Sequence, residues 1–174
     1  MSTSTEHIEK IRGWLTGRLP QDWFDAVPDV VLDREEITVV GTLSEPATTE
    51  GASDVEHASA VSGRIKEFRE RTRDQRIAIA RELEHRTGRK VAWGVQVGER
   101  RELFTTLSVP VMTRLRQSER LVLDTLVDAG VARSRSEALA WCVKLVGKNV
   151  DGWLSDLRGA MEQVSKVRAE GPDA

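Results

Sequence analysis

The stretch Pro110–Val146 reads PVMTRLRQSERLVLDTLVDAGVARSRSEALAWCVKLV and decides the fold expected for the C-terminal part of the chain. Residues 109–116 have the composition of a short extended strand. Residues 117–129 carry apolar side chains at helical spacing and predict a helix. Gly130 marks the end of that helix, because glycine readily takes the left-handed conformation of a helix stop. A second helix is predicted over 134–146.

The start of this second helix carries the most specific signal in the stretch. The sequence Ser134-Arg135-Ser136-Glu137 fits the capping box. In that motif a serine hydroxyl accepts a hydrogen bond from the third amide of the helix, and a glutamate reaches back to the cap. A strand, a helix, a glycine turn and a capped helix are therefore expected in this order.

This order and spacing resemble the ribbon-helix-helix family of DNA-binding domains over residues 110–146, about a fifth of the chain. The residues that carry the resemblance are the strand end Arg114-Leu115, the helix-core residues Leu123 and Leu126, the turn residue Gly130, and the helix start Ser134-Arg135-Ser136-Glu137-Ala138-Leu139. The match at the second helix start is more specific than the leucine spacing.

The resemblance implies a homodimer in which the strands of two copies pair and enter the major groove of double-stranded DNA. By position, Pro110, Met112 and Arg114 would face the bases, while the alternate residues Val111, Thr113 and Leu115 would face the core. An arginine can bond guanine O6 and N7 in bidentate fashion. The amides at the second helix start would hold phosphate, because a helix N-terminus attracts anions. The residues predicted to contact nucleic acid are Met112, Arg114, Arg116, Ser134 and Arg135.

A second hypothesis uses the same unit without DNA. The side chains of Pro110 and Met112 cannot hydrogen-bond to bases, and the first 62 residues are rich in acids. Paired strands and interdigitated helices would bury Leu, Val and Trp side chains whether or not a nucleic acid is present. The chain would then be a dimerising protein–protein interaction module.

The N-terminal region predicts a small α+β layer. Residues 5–18 have a helical apolar stripe, and the β-branched runs Val30–Leu32 and Ile37–Val40 predict a hairpin. A long basic helix over 61–87 and a second hairpin over 91–97 and 101–107 follow. Helices covering one face of an antiparallel sheet are expected.

The whole chain is therefore expected to be α+β, with this region followed by the ribbon-helix-helix-like unit and a C-terminal amphipathic helix over 149–168. The predicted organisation is an N-terminal helix and hairpin over 1–43, a flexible acidic linker over 44–60, the basic helix and second hairpin over 61–108, and a dimerisation and DNA-binding region over 109–170. The linker is predicted from small, polar and acidic residues.

Charge is distributed in patches. Residues 1–62 carry 4 basic and 12 acidic groups, whereas residues 63–108 carry 12 basic and 7 acidic groups. Arg69, Arg73 and Arg76 form a possible second nucleic-acid patch on the basic helix. Alternatively, this charge solvates the helix or pairs with the acidic N-terminal part. Trp93 and Phe104 on the adjacent hairpin could stack on bases, although aromatic residues of strands more often fill cores.

Composition argues against several classes of protein. The chain has 174 residues, one cysteine and three histidines. A disulfide framework or a cysteine-based zinc site is therefore not expected. No apolar run approaches the about 20 residues of a membrane-spanning helix, and no secretory signal is recognised at the N-terminus. His7, His57 and His85 lie in no catalytic motif, and Cys142 lies on an apolar helix face. We expect a cytoplasmic protein that is not an enzyme and needs no cofactor.

Overall fold

A computed structural model describes residues 3–48 and 51–170. The elements within these ranges are α1 (Thr3–Arg18), β1 (Asp29–Leu32), β2 (Glu36–Thr42), α2 (Asp54–Arg71), α3 (Arg73–Thr87), β3 (Lys90–Val97), β4 (Arg100–Leu103), α4 (Gln117–Asp128), α5 (Arg135–Asn149) and α6 (Asp151–Glu170). They divide into two structural units, 3–108 and 109–170. The protein is mixed α+β, as predicted.

The first unit contains a four-stranded sheet with the order β1-β2-β3-β4. Both predicted hairpins are present, because β1 pairs antiparallel with β2 and β3 pairs antiparallel with β4. The prediction of a fully antiparallel sheet is wrong, since β2 and β3 run parallel from Glu36–Lys90 to Thr42–Gln96. The physical reason is the long connection through α2 and α3, which allows β3 to return beside β2 in the same direction.

The core of this unit lies between the helices and one side of the sheet. Phe68 of α2 is at its centre, with its ring centroid 5.7 Å from that of Trp23 and 5.4 Å from that of Phe24. Helices α1, α2 and α3 and strands β2 and β3 all contribute buried residues to this core. They include Leu15, Ile37, Val39, Ile65, Ile79, Leu83, Trp93 and Val95. Trp93 and Phe104 are therefore core residues, only 4% and 8% exposed.

The basic helix predicted over 61–87 is two helices that meet at Thr72. Thr72 is fully buried, and its hydroxyl donates to the Phe68 carbonyl at 2.6 Å. The first of the two helices begins at Asp54, so the assignment of 54–60 to a linker is wrong. The Ser53 hydroxyl accepts from the Glu56 amide at 3.3 Å and caps this start, which also has acidic groups in its first turn.

The second predicted hairpin is shorter than expected. β4 ends at Leu103, and residues 105–116 have no regular secondary structure. The strand predicted over 109–116 is therefore not part of a sheet within the described chain. This segment connects the first unit to the second.

The second unit consists of α4, α5 and α6. Gly130 joins the first two with φ of +74°, and the Val131 amide donates to the Leu126 carbonyl at 3.0 Å, as expected for a left-handed helix stop. A small core forms around Leu123, Ala132 and Ala138, with Leu115 and Leu126 packed against it. No helix in the described ranges is both long and apolar enough to cross a membrane.

Several large apolar residues of this unit are exposed in the single chain. Leu121 and Val122 of α4 are 57% and 55% exposed. Other exposed apolar residues are Trp141 and Leu145 of α5, and Trp153, Leu157, Met161, Val164 and Val167 of α6. One copy of the unit is too small to cover all of its own apolar side chains.

Candidate nucleic-acid interface

The strand segment, residues 109–116, has no regular secondary structure and is largely exposed. Val111 is 87% exposed and Met112 is 97% exposed, and the Arg114 side chain also faces solvent. Among the described residues, no backbone hydrogen bond joins 109–115 to a neighbouring strand. The carbonyls of residues 109–114, and their amides except at Pro110, are therefore available for pairing.

The end of the strand segment is fixed to the second unit. Leu115 packs against the small core, and its carbonyl accepts from the Arg120 guanidinium at 2.7 Å. The Arg116 amide donates to the Glu119 carboxylate at 2.6 Å, which starts α4. These contacts direct Leu115 inward, as the resemblance implies, and leave the Arg114 and Arg116 side chains exposed.

The cap predicted at Ser134 is present. The Ser134 hydroxyl accepts from the Glu137 amide at 3.2 Å. The Glu137 carboxylate reaches back one residue further than predicted, to the Arg133 amide at 2.8 Å, and also pairs with the Arg133 guanidinium at 3.2 Å. These hydrogen bonds from Arg133 hold the pKa of Glu137 below its usual value. The first amides of α5 have no partner within the helix and can receive an anion.

Arg135 joins the two helices of the motif. Its guanidinium donates two hydrogen bonds to the Asp124 carboxylate, at 2.6 and 2.7 Å. These bonds lower the pKa of Asp124 and raise the pKa of Arg135. The Arg135 side chain thus positions α5 on α4, and its backbone amide is the part of the residue suited to phosphate. Sequence reasoning missed Asp124, because its contact to a residue 11 positions away depends on how α4 and α5 cross.

The cap gives a test of this local structure. Ser134→Ala should destabilise the second unit by about 1 kcal/mol, because an N-terminal amide of α5 loses its acceptor. The matched control is Ser136→Ala, which removes an exposed hydroxyl of the same helix. Urea titrations followed by circular dichroism measure the difference. Equal stability of the two variants would contradict the role of the cap.

The Asp124–Arg135 pair gives a pH dependence. The pKa of Asp124 is lower in the folded chain than in the unfolded chain, so the pair stabilises the fold above about pH 4. This stabilisation is lost as the pH falls further, through the folded pKa. Asp124→Asn should lower the urea midpoint at pH 7. Between pH 7 and pH 3, the midpoint of this variant should fall less than that of the unmodified chain. Asp128→Asn, on the same helix, is the control, and an identical pH profile for both variants would refute this account.

The second basic patch lies in the other unit. Arg69 and Arg73 are exposed, but Arg76 is only 7% exposed, so its prediction as part of an exposed basic face is wrong. Arg76 turns inward to bond with Thr72 and with the Arg69 carbonyl. Part of the remaining positive charge pairs with the acidic N-terminal part, as the alternative suggested, since Arg71 lies 3.7 Å from Asp22. Within the described ranges, no group of His, Cys, Asp and Glu side chains is placed to hold a metal ion.

In a comparison with known proteins, each of the two units matches a family model. Residues 9–103 match a family model described as the Rv1265-like protein, N-terminal domain, and residues 116–168 match one described as the Mb1296 C-terminal domain. The chain belongs to the Rv1265-like protein family.

Two relatives in this family are closely similar over most of the chain. They are described as uncharacterized protein Rv1265 of Mycobacterium tuberculosis and uncharacterized protein Mb1296 of Mycobacterium bovis. Each is 59% identical over 160 residues, which cover 92% of this chain and 69% of the relative. No solved structure shows significant similarity. Neither family description names a nucleic acid or a ribbon-helix-helix fold, so the resemblance stays a prediction.

Proposed function

We propose that this member of the Rv1265-like family is a homodimeric DNA-binding protein that acts in transcription regulation or in organising the nucleoid. The observation that carries the proposal is the strand segment, which has no regular secondary structure, is largely exposed and makes no strand pairing within the described residues. It leads directly into the helices α4 and α5. Pairing with the same segment of a second copy would satisfy its backbone groups. That pairing would form the two-stranded ribbon that enters the major groove.

The exposed apolar side chains of the second unit support dimerisation. Leu121, Val122, Trp141, Val143 and Leu145 are each between 39% and 65% exposed in one chain. Large exposed apolar patches are uncommon on monomers and mark interaction surfaces. A second copy that pairs along residues 109–116 brings its own α4 and α5 alongside these side chains. Their burial would stabilise the dimer by the hydrophobic effect.

The charge of the strand segment, α4 and α5 supports DNA as the ligand. Residues 109–148 carry 7 basic and 4 acidic groups. Arg114 lies at a position where the resemblance expects a side chain to face the bases, and Arg116 adds a cation beside it. The start of α5 contributes backbone amides for a phosphate. Affinity built in this way depends strongly on salt, because each phosphate contact releases counterions.

Light scattering and a duplex titration on the same sample test the proposal. The dimer should have a mass close to twice the 19.4 kDa of one chain. Double-stranded DNA should bind with an affinity that falls as salt rises. A monomeric mass at micromolar concentration would contradict the proposal.

The second candidate function is a dimeric interaction module for another protein. It is favoured by the 97% exposed Met112 side chain, which offers no hydrogen bond to a base at a position expected to face DNA. This candidate predicts the same dimer mass but no duplex binding at about 100 mM salt, where purely electrostatic contacts are already weak. The titration therefore separates the two functions.

A further inference from the structure

A cleft of about 680 Å³ lies in the unit 3–108, beside the junction of α2 and α3. Its walls come from residues 62–77 of the two helices and from residues 100–105 at the end of the sheet. The volume is in the range of small-molecule sites. The lining is unusually basic, with five cationic side chains: Lys66, Arg69, Arg73, Arg76 and Arg100.

Two carboxylates also line the cleft, and both already have partners. Glu102 lies 3.0 Å from the Arg100 guanidinium, and Glu70 lies 4.0 Å from the Lys66 ammonium. The other three cations, Arg69, Arg73 and Arg76, are in excess. The ion pair of Arg73 is with Asp74 at 3.6 Å, whose carboxylate is 95% exposed and outside the lining. The side chains that line the cleft therefore carry a net positive charge.

Arg76 is the feature that distinguishes this cleft from a solvated basic surface. Its guanidinium donates to the Thr72 hydroxyl at 2.9 Å and to the Arg69 carbonyl at 2.7 Å, and lies 4.7 Å from the centroid of the Phe104 ring. No carboxylate of the described chain lies within ion-pair distance of it. Burial, and then repulsion by Arg69 and Arg73, lowers the pKa of Arg76 to about 10.

A buried cation without a carboxylate is costly, because desolvation is not offset by an ion pair. Here the cost is increased by the second guanidinium, Arg69, which lies 5.6 Å from the centroid of the same Phe104 ring. The hydrogen bonds to Thr72 and Arg69 hold the Arg76 side chain in one orientation. Arg76 is thus fixed in position, and an anion bound in the cleft with Arg69 and Arg73 would stabilise its buried charge.

We propose that this cleft binds a small phosphate-bearing ligand through Arg69, Arg73 and Arg76. Guanidinium groups match phosphate oxygens in charge and in bidentate geometry. Ile77 supplies an apolar contact and Ser62 and Thr105 supply hydroxyls at the walls for the rest of the ligand. A small ligand suits the site better than the backbone of a duplex, because Arg76 is recessed in a concave surface that a rigid duplex does not enter. The site lies outside residues 109–116 and does not depend on the proposed DNA interface.

Calorimetric titration of the full chain with inorganic pyrophosphate at constant ionic strength tests the site. Arg76 is buried, so the exposed pair is substituted instead, as Arg69→Ala/Arg73→Ala. We expect saturable binding to the unmodified chain and an affinity at least about tenfold weaker for the double variant, since each lost charge-assisted contact is large. Arg81→Ala removes an exposed arginine of α3 outside the cleft and should leave the affinity unchanged.

Three results would overturn the proposal. They are the absence of saturable pyrophosphate binding, an equal affinity for the unmodified chain and the double variant, and an equal loss in Arg81→Ala. A parallel titration with a DNA duplex separates the two sources of phosphate. If the double variant loses duplex affinity and pyrophosphate does not bind, the cleft contacts the nucleic-acid backbone and the small-ligand proposal is wrong. The pyrophosphate result decides the proposal whether or not the chain binds DNA.

Discussion

Replacing Phe68 by alanine should lower the free energy of unfolding of the unit 3–108 by about 3–5 kcal/mol, the range for removal of a buried aromatic ring. The ring lies between α2 and the sheet and contacts Trp23, Phe24 and Phe104, with centroids 5.4 to 6.4 Å apart. The variant loses the transfer free energy of the ring, and a cavity remains because helices and sheet cannot close around it fully.

Amide hydrogen exchange is the suitable measurement, because it separates this unit from the rest of the chain. The slowest amides of β2 and β3 report global opening of the unit. Their protection should fall strongly in Phe68→Ala. Val55→Ala is the control on the same helix, since Val55 is 75% exposed and its truncation should cost less than about 0.5 kcal/mol. Similar protection of both variants would show that α2 does not pack on the sheet as described.

If the chain binds DNA as proposed, Arg114→Ala should weaken its binding to the duplex it prefers by at least about thirtyfold. Each bidentate contact between an arginine and guanine contributes about 1–3 kcal/mol, and a symmetric dimer loses two of them. Arg114 is exposed near the start of the second unit and makes no ion pair with the described residues, so its loss should not unfold the chain. Fluorescence anisotropy at constant salt measures the affinity.

Two further variants make this test specific. Arg158→Ala removes an exposed arginine of α6, away from the strand segment, and should change the affinity little. Arg114→Lys retains the charge but not the planar guanidinium, so it should retain weak, salt-sensitive binding and lose preference among sequences. If a folded, dimeric Arg114→Ala variant binds DNA like the unmodified chain, the assignment of Arg114 to the bases is wrong.

Local signals in the sequence predicted the local structure well. The β-branched runs Val30–Leu32 and Ile37–Val40 form the first hairpin, and Gly130 and Ser134 end and begin helices where predicted. The helix ends depend on residues within about four positions of one another, and the strands of the hairpin are joined by a short turn. The parallel pairing of β2 with β3 was not predicted. It depends on how α2 and α3 carry the chain back to the sheet, and the sequences of the two strands do not show this.

Some residues lie in surroundings that the sequence pattern did not predict, because tertiary contacts decide their burial. Thr72, where the two helices meet, is fully buried, and Arg76 is buried although arginine usually lies at the surface. Leu121 and Val122 have the spacing of core residues, yet one copy of the chain does not cover them. For the candidate DNA interface, the sequence indicated the Ser134 cap but not the Asp124–Arg135 pair that fixes the crossing of α4 and α5.

A cysteine scan through the strand segment tests the central claim, the pairing of residues 109–116 between two copies. Single cysteines are placed at each of the positions 110 to 114 in the full chain, with Cys142→Ala removing the native thiol. Antiparallel strands bring equivalent residues near the twofold axis to a Cα separation of about 4.5–5.5 Å, within the range that a disulfide requires. Mild oxidation should therefore give a covalent dimer at one or two neighbouring positions and none at the exposed control Ser59→Cys. Cross-linking at all five positions no greater than at the control, in folded protein, would contradict the account.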